Sequence, residues 1–194
     1  MKNSFFAFIS RMRYIGRWGL MRNSSPENIQ ENSHMVAVIA HALAVVRRDV
    51  FGGDVEPNLV ATVALYHDAS EIFTGDLPSP IKYLNRDILA AYKQVEDVAM
   101  DKLHMLLPGE LQAAYRPLLV EIDAEVQALI KAADRLSAYV KCLEELRAGN
   151  DEFKAAHQEI LRTIEENPQP ETAYFMEHFI AAFRLALDEL DLSV

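Results

Sequence analysis

Apolar residues recur along most of the chain at steps of three and four, a spacing that places them on one face of an α-helix. The breaks between these stretches contain glycine, proline or asparagine, and no repeat, low-complexity tract or linker interrupts the pattern. We therefore predict an all-α fold with a single domain over residues 1–194. The predicted helices cover 4–14, 27–50, a stretch from 57 to near 75, 87–103, a short segment ending near 119, 125–146, 151–166 and 173–190.

The stretch 63–80 holds the most distinctive polar residues of the chain. His67, Asp68 and Glu71 fall on the same predicted helical face as the apolar residues Val63 and Ala64. Charged groups on a buried face are costly unless something pairs with them. A divalent cation is one such partner, because imidazole nitrogen and carboxylate oxygen both suit transition metals. The alternative is a hydrogen-bonded His–Asp pair in the core, followed by a surface loop.

The end of this predicted helix should carry a further carboxylate. Gly75 is a suitable stop, and Pro78 and Pro80 prevent the helix from resuming directly. Asp76 would then stand on a rigid turn close to His67 and Asp68.

Two other places combine polar groups with apolar surroundings. Asp134 lies in the middle of the predicted helix 125–146, where neighbouring Arg135 points in the wrong direction to pair with it. It is either a structural buried carboxylate or part of a site. Arg17 and the only Trp of the chain, Trp18, lie in a glycine-flanked loop. That loop is either a lid over core residues, or a place where an arginine binds phosphate beside a pocket wall.

Composition narrows the classes of function. The net charge of −10 argues against binding to long nucleic acid, whose affinity comes mainly from basic residues, but not against a small anionic ligand. No run approaches the roughly 20 apolar residues of a membrane span, so we expect no membrane partner. The single cysteine, Cys142, excludes an internal disulfide. We also expect no signal peptide, because the apolar patch at the N-terminus is too short. We therefore expect a cytoplasmic protein.

Three separated motifs resemble those of the HD-domain metal-dependent phosphohydrolases: HDASE at 67–71, GDLP at 75–78 and KAADRL at 131–136. The segments RWGLMRN at 17–23 and YVKCLEEL at 139–146 narrow the resemblance to bacterial 5'-deoxynucleotidases of the YfbR type. The resemblance covers nearly the whole chain. It implies an HD-domain helical bundle, a homodimer, and removal of the 5'-phosphate from deoxyribonucleoside 5'-monophosphates by a metal-activated water.

The resemblance also implies roles for individual residues. His67, Asp68 and Asp134 match metal ligands of the family, and the cation would be Co²⁺, Mn²⁺ or a similar transition metal. Glu71 matches an acidic residue that assists catalysis near the metal-bound water. Residues that match substrate-contacting positions are the phosphate-orienting Arg17, Trp18, which helps to exclude a ribose 2'-hydroxyl, and the turn Asp76, Leu77, Pro78 and Ser79. The family usually has Thr at the position of Ser79.

One position departs from the family pattern. The first metal ligand of the family is a His, and the matching residue here is Asn32. His34, two residues later, is about 200° around a regular helix and cannot simply replace it. Three outcomes stay open: Asn32 ligates weakly through its amide oxygen, the helix start distorts to bring in His34, or the site has three protein ligands and water. All three predict weaker metal retention than a His site gives.

These observations leave three hypotheses for function. The first is a metal-dependent 5'-deoxynucleotidase, in which Arg17 holds a phosphate oxygen while water attacks phosphorus in line, with no covalent intermediate. The second is an HD phosphohydrolase that acts on another nucleotide. The third, favoured by Asn32, is an HD-fold nucleotide-binding protein with weak or no hydrolase activity.

Overall fold

The computed structural model describes residues 3–82 and 84–190, with only the backbone of residue 79. The described part is helical, as predicted, and contains no β-strand beyond one isolated bridge between Gly16 and Asn28. The α-helices are α1 (Phe5–Ile9), α2 (Ile29–Val45), α3 (Pro57–Ala64), α4 (Glu71–Thr74), α5 (Ser79–Lys82), α6 (Arg86–Met105), α7 (Gly109–Leu119), α8 (Ala124–Arg147), α9 (Lys154–Glu166) and α10 (Pro170–His178). None of the described helices is both long and apolar enough to cross a membrane.

The main core lies where α2, α3 and α8 pack together. Leu43 from α2, Val60 from α3, and Leu129 and Leu136 from α8 are fully buried there. Burying one such side chain contributes roughly 1.5–3 kcal/mol, so this layer fixes the relative positions of the three helices. Those helices, or the turns that follow them, carry Asn32, His67 and Asp134.

A second apolar cluster joins the N-terminal segment to the rest of the bundle. Phe5 and Met12 are buried against Ile29, Leu103 and Leu119. The predicted helix 4–14 is therefore present with its apolar face inward, although its second half, Ser10–Tyr14, is a 3₁₀-helix. This cluster holds the start of the loop that carries Arg17 and Trp18.

Helix α2 begins later than the sequence pattern suggested. Asn28 caps it by accepting hydrogen bonds from the backbone N–H groups of Gln30 (3.0 Å) and Glu31 (3.1 Å). The Glu31 carboxylate accepts in return from the Asn28 N–H at 3.1 Å, which completes a capping box. Because this capping box makes Asn28 the N-cap of α2, Glu27 lies before the helix. The predicted helix start at residue 27 is therefore wrong.

The predicted continuous helix through His67, Asp68 and Glu71 is also wrong. Helix α3 ends at Ala64, and residues 65–70 form successive tight turns. In these turns the N–H groups of Tyr66, His67 and Ala69 bond to the carbonyl three residues earlier, as in Tyr66 N to Val63 O (3.0 Å). Such turns place about three residues in each turn rather than 3.6, so the side chains no longer share one α-helical face.

The turn after α4 is as predicted. Gly75 ends α4 with φ at +71°, a value that glycine adopts without the steric cost a side chain would bring. Asp76 follows immediately.

The C-terminal region differs from the predicted helix 173–190. Helix α10 ends at His178, and 3₁₀ segments follow at Ile180–Arg184 and Leu187–Glu189. Phe175 is buried, and Phe183 packs against the main core from the first 3₁₀ segment, whereas Leu187 is 86% exposed. The single predicted helix is therefore replaced by a shorter α-helix and two 3₁₀ segments.

Candidate active site

The bundle brings His67, Asp68 and Asp134 together, although α8 is remote in sequence from the first two. His67 Nε2 lies 3.1 Å from Asp68 Oδ2 and 3.8 Å from Asp134 Oδ1. The tight turns after α3 present the His–Asp pair, and the packing of α8 against α2 and α3 presents Asp134. The three side chains line one wall of a cavity of about 750 Å³, within the size range of small-ligand pockets.

His67 is oriented through its other ring nitrogen. Nδ1 donates to the carbonyl oxygen of Ala64 at 2.8 Å, the kind of contact that fixes the tautomer of metal-binding histidines. Nε2 is buried without a well-formed hydrogen bond and faces the two carboxylates. Burial alone would lower the pKa of His67, but Asp68 and Asp134 outweigh it and raise that pKa well above its ordinary value. The two carboxylates therefore favour the protonated form of His67.

Asp134 is held as an anion. Burial would raise its pKa, but hydrogen bonding and attraction from His67, together with Arg17 and Asn32, hold the pKa well below its ordinary value. Its side chain remains 41% exposed, so the carboxylate is also accessible from the cavity.

Arg17 reaches the same carboxylates from its loop. Nη1 lies 3.3 Å from Asp68 Oδ2, and Nη2 lies 4.0 Å from Asp134 Oδ1. Nε contacts Glu27 Oε2 at 3.2 Å, and the side chain is only 13% exposed. Burial would lower the pKa of Arg17, but Asp134, Asp68 and Glu27 outweigh it and raise that pKa. Arg17 is thus a fixed positive charge beside the carboxylates.

Trp18 lies next to Arg17 and shares its carboxylate partner. Its indole Nε1 donates to Glu27 Oε2 at 3.1 Å, and its ring packs against Phe153 with centroids 5.3 Å apart. Its backbone φ of +58° is unusual for a bulky residue. Sequence reasoning missed Glu27, because a contact across a ten-residue loop leaves no periodic signal.

Asn32, rather than His34, lies against the carboxylates of Asp68 and Asp134. Asn32 is 1% exposed, and its Nδ2 lies 3.3 Å from Asp68 Oδ2 and 3.4 Å from Asp134 Oδ1. Its Oδ1 accepts a hydrogen bond from Ser137 Oγ at 3.0 Å. His34 is exposed, and the regular start of α2 does not turn it inward. The amide therefore presents its nitrogen, which is not a metal ligand, to the carboxylates.

Glu71 is a buried carboxyl group beside this cluster. It is 7% exposed, and its Oε2 has no hydrogen-bond partner among the described residues. Burial, reinforced by the negative charges of Asp68 and Asp76, raises the pKa of Glu71 to about 9. Glu71 is therefore a neutral carboxylic acid at pH 7, with a proton that it can donate.

The turn after Gly75 borders the same cluster. Asp76 interacts electrostatically with Arg17 and accepts a hydrogen bond from the backbone of Trp18, and burial is the main cause that raises its pKa. Leu77 and Pro78 are partly exposed, whereas the Ser79 side chain lies outside the described part of the chain. The turn is thus close to Arg17 and Trp18.

The donor set fits a divalent cation, although its side chains are not arranged as a completed site. Within the described residues, no three His, Cys, Asp or Glu side chains already surround one metal position. The buried Nε2 of His67 nevertheless lies 3.1 Å from Asp68 Oδ2 and 3.8 Å from Asp134 Oδ1. Donors at 2.0–2.2 Å from a shared metal are separated by roughly 3.0–3.5 Å. Small side-chain movements would therefore suffice.

Comparison with known proteins gives matches over nearly the whole chain. Residues 4–183 match the family described as 5'-deoxynucleotidase YfbR-like. A 5'-deoxynucleotidase YfbR of Escherichia coli O1:K1 is 49% identical over 193 residues, which cover 98% of this chain and 97% of that protein.

Solved structures with a similar fold include an HD-domain phosphohydrolase from Listeria innocua. Its TM-score is 0.79 at 26% identity, over 93% of this chain and 88% of that chain. The cyanophage S-2L HD phosphohydrolase DatZ, bound to dA and one catalytic Zn²⁺ ion, has a TM-score of 0.62 at 19% identity. That likeness covers 90% of this chain and 95% of DatZ, and at this identity it shows the fold alone.

Proposed function

The chain belongs to the YfbR-like 5'-deoxynucleotidase family, and from that membership we propose that it removes the 5'-phosphate from deoxyribonucleoside 5'-monophosphates. The predicted all-α HD-domain bundle is confirmed. One observation carries the proposal: His67, Asp68 and Asp134 line a single cavity, and Arg17 contacts both carboxylates. This arrangement supports a phosphate-binding role for Arg17 beside the proposed cation site.

We propose that His67, Asp68 and Asp134 hold a divalent transition-metal cation such as Co²⁺ or Mn²⁺. Their imidazole nitrogen and carboxylate oxygens are donors that such cations accept. When bound, the cation would lower the pKa of a coordinated water and polarise a phosphoryl oxygen. His67 would lose its proton on binding, and the Ala64 carbonyl would keep its ring in place.

The other polar groups would act on the phosphate and on the leaving group. Arg17 would hold a non-bridging phosphate oxygen, because its two terminal nitrogens lie 3.3 Å from Asp68 Oδ2 and 4.0 Å from Asp134 Oδ1, beside the proposed cation site. Such positioning and charge neutralisation are the main contributions a protein makes to phosphoryl transfer. Glu71 would give its proton to the departing 5'-oxygen, a role that its raised pKa suits.

Selection for deoxyribose would come from the residues beside Arg17. Trp18 and the turn of Asp76, Leu77, Pro78 and Ser79 would leave a ribose 2'-hydroxyl without a favourable partner. A polar group that is forced against an apolar wall loses its hydrogen bonds to water, and that loss favours the deoxy substrate.

A second candidate function rests on Asn32. Its amide nitrogen faces the two carboxylates, and Arg17 adds a positive charge there, so these acids are compensated without a cation. This arrangement favours an HD-fold nucleotide-binding protein with weak hydrolase activity. A phosphohydrolase acting on another nucleotide is the other alternative, and a substrate panel separates it from the main proposal.

Phosphate release from dAMP with added Co²⁺ or Mn²⁺ tests the proposal, with AMP and other nucleotides measured in parallel. We expect release that depends on the cation and is faster for dAMP than for AMP. We also expect N32H to bind the cation more tightly by calorimetry, about tenfold or more, since imidazole is the better ligand. Binding of dAMP without turnover in either protein would favour the nucleotide-binding alternative. The absence of both would refute the proposal.

We also propose a homodimer in the cytoplasm, as the family resemblance implies. Light scattering should give twice the mass of the chain. A monomer at micromolar concentration would contradict this part of the proposal.

A further inference from the structure

Glu27 connects the two loop residues that the proposed function assigns to the phosphate and to the sugar. One oxygen, Oε2, lies 3.2 Å from Arg17 Nε and 3.1 Å from Trp18 Nε1. The Glu27 backbone carbonyl also accepts from the Arg17 N–H at 2.9 Å. The carboxylate is 17% exposed, so these contacts are largely shielded from solvent. Glu27 therefore holds Arg17 at two points and Trp18 at one.

These contacts determine which atoms of Arg17 face the carboxylates of Asp68 and Asp134. Because Glu27 occupies Nε, the terminal nitrogens are left to point towards Asp68 and Asp134, at 3.3 and 4.0 Å. Without this contact the guanidinium would be able to turn and form a closer two-point pair with either carboxylate. Such a pair would withdraw the donors that a phosphate needs.

The same carboxylate fixes the plane of the Trp18 ring. An indole has a single N–H donor, and a largely buried indole needs a partner for it. Glu27 supplies that partner on one edge, while Phe153 packs against the ring at 5.3 Å. Removing Glu27 would leave the ring held by packing alone, on a backbone with φ at +58°.

We propose that Glu27 is a positioning residue that sets Arg17 and Trp18 together, and so links phosphate affinity to discrimination between deoxyribose and ribose. This inference rests on the proposed function. It predicts that loss of the Glu27 carboxylate weakens both properties in one step. If Glu27 only stabilised the loop, its loss would lower stability and leave selectivity unchanged.

The test compares E27A and E27Q with a matched control, E31Q. Glu31 is an exposed carboxylate four residues away that accepts from the Asn28 N–H at 3.1 Å and contacts neither loop residue. Trp18 is the only Trp, so intrinsic fluorescence and its quenching by acrylamide report on this ring alone. Steady-state kinetics with dAMP and AMP give KM, kcat and the deoxy-to-ribo ratio of kcat/KM.

We expect E27A to shift the Trp18 emission to longer wavelength and to increase its quenching. We also expect it to raise KM for dAMP about tenfold and to lower the deoxy-to-ribo ratio of kcat/KM about fivefold. Changes of this size are typical when hydrogen bonds to a charged group are lost. E27Q keeps an oxygen acceptor and should show smaller changes, and E31Q should stay within about twofold of the unmodified protein.

Unchanged Trp18 emission and an unchanged deoxy-to-ribo ratio in a folded E27A protein would overturn the proposal. Absence of dAMP turnover in the unmodified protein would instead refute the proposed function. In that case the emission and quenching of Trp18 still decide whether Glu27 sets the position of the ring.

Discussion

Replacing Glu71 by Gln should stabilise the cation-free protein at neutral and alkaline pH. Glu71 is 7% exposed, and its Oε2 has no hydrogen-bond partner among the described residues. Burial, then the charges of Asp68 and Asp76, raises its pKa from an ordinary value of 4.5 to about 9. In the unfolded chain these causes are absent, so the carboxyl titrates near 4.5 there.

The sign of the effect follows from this difference in pKa. A carboxyl whose pKa is higher in the folded state binds its proton more tightly there, so stability is greatest below pH 4.5 and falls as pH rises towards about 9. At pH 8, about 3.5 units above the ordinary pKa of 4.5, each unit costs the folded state about 1.36 kcal/mol of stability. The destabilisation caused by Glu71 therefore has an upper limit of about 5 kcal/mol. Local relaxation and water entry reduce this penalty. We therefore expect E71Q to raise the free energy of unfolding by about 2 kcal/mol at pH 8 and hardly at all at pH 4.5.

Urea unfolding followed by far-UV circular dichroism, between pH 4.5 and pH 8 with a chelator present, measures this difference. The control is E165Q, because Glu165 is an exposed carboxylate on α9. We expect E165Q to leave the free energy of unfolding unchanged at every pH. A destabilised E71Q protein at pH 8, or a difference from the unmodified protein that does not vary with pH, would refute the reasoning.

Three further predictions concern Arg17, the loop it belongs to and the single cysteine. R17K keeps the positive charge but loses the planar guanidinium that contacts Glu27 and Asp68 at the same time. KM for dAMP should therefore rise about tenfold in phosphate-release assays. Burial would raise the pKa of Glu145, but hydrogen bonds from Lys141 and from the loop backbone lower it to about 2. Its stabilising contribution is therefore present above its ordinary pKa of 4.5 and is lost as pH falls towards 2. E145Q should lower the free energy of unfolding by about 2 kcal/mol at pH 7, with a smaller difference below pH 4.5, in urea titrations. Cys142 is fully buried and burial raises its pKa to about 12, so mass spectrometry should find it unmodified by iodoacetamide until the protein is unfolded.

Local periodicity was sufficient to predict the helices that form the core. The apolar stripe of α2, which includes Val36, Ile39 and Leu43, is buried as predicted. Gly75 ends α4 as predicted, because its positive φ favours glycine at the end of a helix. Both features depend on residues close together in sequence, and such features leave a signal in the chain itself.

Features that depend on distant contacts could not be predicted in the same way. The turns at 65–70 depart from the helical pattern of their own residues. The contact of Glu27 with Arg17 and Trp18 depends on how the loop closes, through the bridge between Gly16 and Asn28. Asp134 was a candidate from its apolar neighbours and from the family resemblance, and the packing of α8 brings its Oδ1 to 3.8 Å from His67 Nε2.

The carboxylates of the centre are compensated without a cation, and this determines how cation and nucleotide binding must influence each other. Arg17 Nη1 and Asn32 Nδ2 each lie 3.3 Å from Asp68 Oδ2. If a cation takes this oxygen as a ligand, as we propose, it would compete with both donors, and Arg17 Nη1 would become available to a phosphate oxygen while Nε stays on Glu27. On this proposal cation binding would strengthen phosphate binding, and by reciprocity the nucleotide would strengthen cation binding by the same factor. An imidazole in place of Asn32 would add a ligand without removing Arg17, so we expect N32H to raise cation affinity and to leave this coupling in place.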